Sequence, residues 1–187
     1  MSTTEQNNNP VNRATVVRPV DIINKQITFI WIPGHTHVEL IFDPNGKLLF
    51  AAKEIGKEVE LLPKVGDYIP VEWIQSYARS KTLRLPSGVA PYSSIDELAQ
   101  EIREFIHRYF ECDEEFESVL VAYVLLTWVY QRFQAIPYLR FLGLSGTGKT
   151  RASETIGAVC YRTITLGGSL TSAALFRVPD VIGGTMF

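Results

Sequence analysis

The octapeptide Gly143-Leu144-Ser145-Gly146-Thr147-Gly148-Lys149-Thr150 carries the most specific chemistry in the chain. It satisfies G-x-x-x-x-G-K-[ST] at every fixed position, the spacing of a phosphate-cradling P-loop. Glycines let backbone amides approach a polyphosphate with no Cβ in the way. A helix opening directly after the loop points the positive end of its dipole at the same anion. In that arrangement Lys149 reaches the β- and γ-phosphates and the Thr150 hydroxyl binds Mg²⁺. ATP and Mg²⁺ are therefore the expected cofactors, and Gly143 to Thr150 the expected binding residues. The competing interpretation of the same eight residues is a Gly-rich turn with an incidental exposed lysine.

Such a loop needs a strand before it and a helix after it. Tyr138-Leu139-Arg140-Phe141-Leu142 is a short apolar and aromatic run that reads as a buried strand. From Arg151 to Cys160, Ala152, Ile156 and Val159 recur at helical spacing.

The other candidate constellations are weaker. His35-Thr36-His37 has no Cys or acid beside it at ligand spacing, so a loop before a strand accounts for it better than a metal. His107 falls on the polar side of a helix. No Ser/His/Asp or Cys/His set reads as a nucleophile system. Between Trp73 and Arg84, aromatics interleave with Arg79, Lys81 and Arg84, as on a surface that stacks and neutralises single-stranded DNA. The expectation there is plainer: Trp73 and Tyr77 pack one face of a short helix and the cations are solvated, because a stacking platform needs exposed rings.

A chain of 187 residues, 46% hydrophobic and 20% charged, has ordinary globular composition and room for one or two domains. Its formal net charge of −2 provides no global attraction to nucleic acid, so any such contact must be a local patch. Cys112 and Cys160 form neither a disulfide framework nor a metal cluster, which suits a reduced, cytoplasmic protein. The polar start from Met1 to Asn9 leads to the expectation of no signal peptide, and the longest apolar run, Val119 to Tyr130, is too short to span a bilayer.

Residues 1–25, with three consecutive asparagines, are expected to be a disordered tail. Residues 26–86 read as a small β-rich module. Ile27 to Ile32 has strand composition, and Val38, Leu40 and Phe42 alternate with His37, Glu39 and Ile41 as in a half-buried strand. Asp43-Pro44-Asn45-Gly46 places its residues as a type I turn prefers, and Lys47 to Ala52 returns as the partner strand. Val59 to Leu62, Asp67 to Val71 and Thr82 to Leu85 are weaker strands, with a short helix around Trp73 to Tyr77.

Pro86 to Tyr92 is the expected boundary. Residues 93–187 then read as a helical layer plus a partial P-loop domain. Ser94-Ile95-Asp96-Glu97 is a capping box, and Ile95, Leu98, Ile102, Phe105, Ile106 and Tyr109 keep a helical period behind it. A second helix opens near Asp113 to Glu115, is apolar enough to be buried on several sides, and is stopped by Pro137. After the P-loop helix, Tyr161 to Leu166 reads as a strand, Ser169 to Arg177 as a short helix, and Gly184 to Phe187 as the start of a third strand. The fold class expected is an incomplete α/β P-loop NTPase core preceded by a two-helix layer and the β-rich module.

Hydrolysis by a P-loop ATPase also needs an acid-bearing strand. The carboxylates after Lys149 are Glu154, expected on the exposed side of its helix, and Asp180, in a connecting loop. Neither suits the role, so no catalytic residue is assigned. The expectation is that the acid pair would follow Phe187 and that this chain is short of it.

Pro137 to Arg140, Gly143 to Arg151, Thr171 to Arg177 and Gly184 to Phe187 together resemble the AAA+-like P-loop ATPase core of phage- and plasmid-type DNA primase-helicase proteins. The resemblance covers roughly residues 93 to 187. It implies ATP-driven work on DNA in replication by a ring-shaped homo-oligomer, with an arginine finger supplied by a neighbouring subunit. Two further classes fit the same residues: a protein-remodelling AAA+ ATPase, and a non-catalytic nucleotide-binding or assembly module.

Overall fold

The computed structural model describes residues 26–27, 29–32, 36–166 and 182–187. The expected tail over residues 1–25, the helix expected from Ser169 to Arg177, and Asp180 lie outside the described residues.

The turn at Asp43-Pro44-Asn45-Gly46 sets the register of the N-terminal sheet. Asp43 Oδ1 accepts the Lys47 amide at 2.7 Å, and Gly46 donates to the Asp43 carbonyl at 2.9 Å. Gly46 takes φ +79°, a conformation that side-chain-bearing residues resist. The strands described are β1 (Gln26–Ile27), β2 (Phe29–Ile32), β3 (Thr36–Phe42), β4 (Leu48–Glu54), β5 (Val59–Leu62) and β6 (Ile69–Pro70). β2-β3-β4-β5 form an antiparallel sheet in that order, with Phe42 opposite Leu48 across the turn; β1 pairs with β6 in parallel.

Helix α1 (Ile74–Arg79) packs against this sheet through Ile74. Gln75 Nε2 donates to the Gly46 carbonyl at 2.8 Å, and Ile74 and Ala78, one turn apart, are its buried residues. Ile74 joins Val38, Leu40, Phe50, Val71 and Leu83 in one core. That choice of face turns Trp73 and Tyr77 outward, at 41% and 48% exposure. The expectation that these two rings pack against the fold is therefore corrected: the smaller residues at the neighbouring positions take the core.

Strand β3 departs from simple alternation for a related reason. Ile41 is as buried as Leu40, and Glu39 is half-buried, because the segment Tyr161–Arg162 covers the second face.

The chain on the two sides of the exposed connection Ser87 to Tyr92 is joined by backbone pairing. Arg84 donates to Thr163 and Thr165 to Thr82, both at 2.8 Å. On the other side, Ile164 donates to Thr185 at 2.8 Å and Leu166 to Phe187 at 3.0 Å. Ile164 is thus bridged antiparallel to Leu83 and parallel to Met186, and it packs with Ile182 into the core under the N-terminal sheet. The expected strand from Tyr161 is shorter than its sequence suggests, because Arg162 sits at φ +43° and turns the chain first.

Helix α2 (Ile95–Tyr109) begins at Ser94, whose side chain accepts the Glu97 amide at 3.1 Å. The Glu97 carboxylate reaches back one residue further than a reciprocal box requires, to Ser93. Helix α3 (Glu114–Trp128) begins at Asp113, which accepts the Phe116 amide at 2.8 Å. Leu120, Val121, Val124 and Thr127 are buried, whereas Val119 and Ala122 reach the surface, so one side of α3 stays open among the described residues.

Pro137 does not stop α3. The helix ends at Trp128, followed by a 3₁₀ turn, Tyr130–Arg132. The indole of Trp128 donates to the Val159 carbonyl at 3.0 Å, and the Trp128 and Tyr130 rings both pack on Tyr161. These anchors hold the chain at the point where the helix breaks.

Candidate nucleotide site

The loop Gly143–Thr150 is fixed at both ends by the helical layer. On its entry side, Leu139 and Phe141 insert into the cluster of Ile106, Leu120, Val121, Val124, Ile156 and Cys160, with Phe141 edge-to-face on Phe116 at 6.4 Å. Tyr138 and Leu142 point outward. The alternation expected of a strand is present here, but the strand is corrected: Tyr138 to Leu142 is extended chain with no ladder partner among the described residues.

On its exit side, α4 (Lys149–Gly157) buries Ala152, Thr155, Ile156 and Gly157. The helix expected from Arg151 to Cys160 thus starts two residues earlier and ends at Gly157. Arg151 Nε donates to the Tyr109 carbonyl at 3.0 Å, tying the first turn of α4 to the last of α2. A cation at a helix C-terminus also suits the dipole there. Glu154 lies on the exposed side of α4, as expected.

Within the loop each glycine has its own reason. A Cβ on Gly143 would lie 2.6 Å from Thr147 Oγ1, which itself donates to the Leu144 carbonyl at 2.9 Å. Gly146 and Gly148 stand at φ +81° and +80°, with open space where a side chain would be. Their constraint is conformational, and it leaves the backbone bare toward solvent. Lys149 Nζ folds back to donate to the carbonyls of Gly143 at 2.9 Å and Leu144 at 2.5 Å. An ammonium has three protons, so one is left over.

The first amides of α4 have no carbonyl one turn earlier to accept them. Among the described residues, the amides of Gly146, Gly148, Lys149 and Thr150 have no hydrogen-bond partner, and the exposed Thr150 hydroxyl has none. Bare glycine backbone, unpaired amides, a helix N-terminus and a tethered ammonium all converge on one loop. That donor set fits a polyphosphate, and the free hydroxyl of Thr150 fits a Mg²⁺ ion bound with it. Leu144 and Ser145 are exposed at the tip and contribute backbone.

No group of three or more His, Cys, Asp or Glu residues could hold a metal among the described residues, and His35 lies outside them. Nor is any described helix long and apolar enough to cross a membrane. Cys160 is buried, and burial pushes its thiol up to about 12, so it stays protonated and packs as an apolar group.

Several structurally decisive residues were not visible in sequence. Arg151 anchors the loop through a residue 42 positions away. Glu117 is buried and bonded by Arg103 Nη1 at 3.0 Å, with His107 Nδ1 at 3.2 Å, so His107 has a partner after all. Arg162 is fully buried; its Nε donates to Glu39 Oε1 at 2.8 Å and its Nη1 to the Ile182 carbonyl at 3.0 Å. Tyr161 donates to the other oxygen of Glu39 at 2.9 Å. Only the spacing of Arg103 and His107 on one helix face could have hinted at the first cluster; nothing local marks the second.

No protein-family model, curated protein or solved structure matches the chain.

Proposed function

We propose that this chain is the ATP-binding part of a helicase-like P-loop ATPase that works on DNA in replication. In this reading the loop, α4 and the extended pieces around Ile164 belong to an α/β P-loop NTPase core, and the complete enzyme assembles as a homo-oligomeric ring. The observation that carries it is the donor set of Gly143–Thr150: bare glycine amides, the start of α4 and the Lys149 ammonium in one loop.

The roles follow from that geometry. The amides of Gly146, Gly148 and Lys149 hold phosphate oxygens, and Gly146 and Gly148 bring no side chain of their own to the loop. Lys149 contributes charge from a fixed position, because its two carbonyl partners belong to the loop itself. Thr150 would hold Mg²⁺, which when bound neutralises charge that develops on the transferring phosphoryl group. Arg151 keeps the start of α4 in place through α2. DNA and the ring enter by the resemblance of the motifs.

Titrating a fluorescent ATP analogue with Mg²⁺ against the wild type and Lys149→Ala tests the site. The variant should bind at least about tenfold more weakly, as expected for loss of a charge-assisted phosphate contact. Equal affinity would remove the claim. In a version that carries the acid-bearing strand, ATP hydrolysis stimulated by DNA, rather than by an unfolded protein, then separates a helicase from a protein-remodelling ATPase.

A further inference from the structure

The outward-facing rings at Trp73 and Tyr77 are followed in the chain by exposed cations. Trp73 and Tyr77 pack edge-to-face, with centroids 5.8 Å apart and planes at 88°, and both remain more than two-fifths exposed. An edge-to-face pair uses one ring's edge and leaves π-faces open. Arg79, Lys81 and Arg84 follow within seven residues of Tyr77 and are all exposed. None of the three has an ion-pair partner among the described residues. From Val71 to Leu85 the chain carries these three cations and a single acid, Glu72, so 3 − 1 = +2 against −2 for the whole. Lys81 also sits at φ +61°, directly after the helix, where glycine or asparagine is the usual residue.

We propose that this face, Trp73 and Tyr77 with Arg79, Lys81 and Arg84, is a contact surface for single-stranded nucleic acid. Bases present π-faces that stack on exposed aromatic rings without regard to sequence, and the backbone phosphates pair with the flanking cations. A duplex keeps its bases stacked on one another and offers only its phosphates. A protein partner fits less well: protein interfaces place aromatics in a core depleted of Lys, with charge at the rim, whereas here two exposed rings are followed within seven residues by three exposed cations. The surface lies on the β-rich module, not at Gly143–Thr150, and the inference is independent of nucleotide binding.

Fluorescence anisotropy of labelled oligothymidylate, oligouridylate and a duplex, measured with the whole chain and no nucleotide, tests it. Binding of either single strand is expected, tighter than that of the duplex; the preference between the two strands tells DNA from RNA. Trp73→Ala and Tyr77→Ala should each weaken binding by about tenfold, with Trp73→Phe retaining most of it. Replacing Arg79, Lys81 and Arg84 together with Gln should flatten the logarithmic salt dependence by about 2, at about 0.7 per phosphate contact. Urea midpoints near wild type establish that the variants fold, since all five side chains are at the surface. Three results would overturn the proposal: no binding of either strand at low salt, equal binding of duplex and single strands, or ring variants that bind like the wild type.

Discussion

Helix α4 has contrasting polar clusters at its two ends. Five residues beyond its last turn lies Arg162, sealed from solvent with its guanidinium bonded to Glu39 and the Ile182 carbonyl. At its first turn lies Gly143–Thr150, exposed, with backbone amides that no described group accepts. A buried polar group must find its partner within the fold, because leaving it unpaired costs several times the net value of the bond. An exposed group is under no such demand, since water serves in the absence of a ligand. The Arg162 cluster therefore reads as architecture, joining strand β3 to the chain after α4. The loop is left as the proposed site.

Breaking the buried end should have the largest effect. Arg162→Ala leaves Glu39 without its cation and should destabilise the fold by about 3–5 kcal/mol in urea denaturation. A double variant, Arg162→Met with Glu39→Leu, should recover much of that loss, since apolar pairs often replace buried ion pairs at little cost. If Arg162→Ala were neutral, the cluster would not be the joint described. Gly184→Ala comes next. Its Cβ would lie 2.3 Å from the Arg162 carbonyl oxygen, which is backbone and can move only with the chain around it. A loss of about 1–3 kcal/mol is expected, read as a lower urea midpoint.

Alkaline pH probes the same end. The Cys160 thiol ionises near 9.0 when exposed and about 12 when folded, and burial also holds the Tyr161 phenol above its ordinary value. Below pH 9 both states keep the thiol proton and stability is complete. Above it the unfolded chain releases protons that the folded chain retains, so stability falls as pH rises from 9 toward 12. The slope should be about 1.4 kcal/mol per pH unit for each such group. Cys160→Ala should remove its share of that slope and leave the tyrosine's.

At the open end the effects on stability should be small. Gly148→Ala places a Cβ at φ +80° without a clash and should cost about 1 kcal/mol. Lys149→Ala should change stability by less than about 0.5 kcal/mol, because the side chain is only half-buried and bonds only to its own loop. A large loss from Lys149→Ala would make the lysine a structural brace and erase the contrast.

Local chemistry was legible in the sequence and distant chemistry was not. The Asp43–Gly46 turn, the caps at Ser94 and Asp113, and the glycines of the loop are short-range devices, and each stands where its residue types imply. The exposed position of Glu154 followed from helical period in the same way. Tyr138 to Leu142 has the composition of a strand, but pairing depends on a neighbour that composition does not reveal. Trp73 and Tyr77 are expected from sequence to pack one face of a short helix; which face α1 buries is set instead by Ile74 joining the core of Val38, Leu40 and Phe50. Glu39 and Arg162 lie 123 positions apart, and no periodicity connects them.

The central claim is that the amides of Gly146, Gly148, Lys149 and Thr150 are kept for an anion. Amide chemical shifts recorded by NMR during titration with Mg²⁺·ATP test it at those atoms. The prediction is that the largest shifts fall on these four amides, saturate with ATP, and are clearly smaller in Lys149→Ala at the same ATP concentration. Saturating shifts centred elsewhere, or none in the loop at millimolar-range ATP (on the order of cellular binding constants), would contradict it.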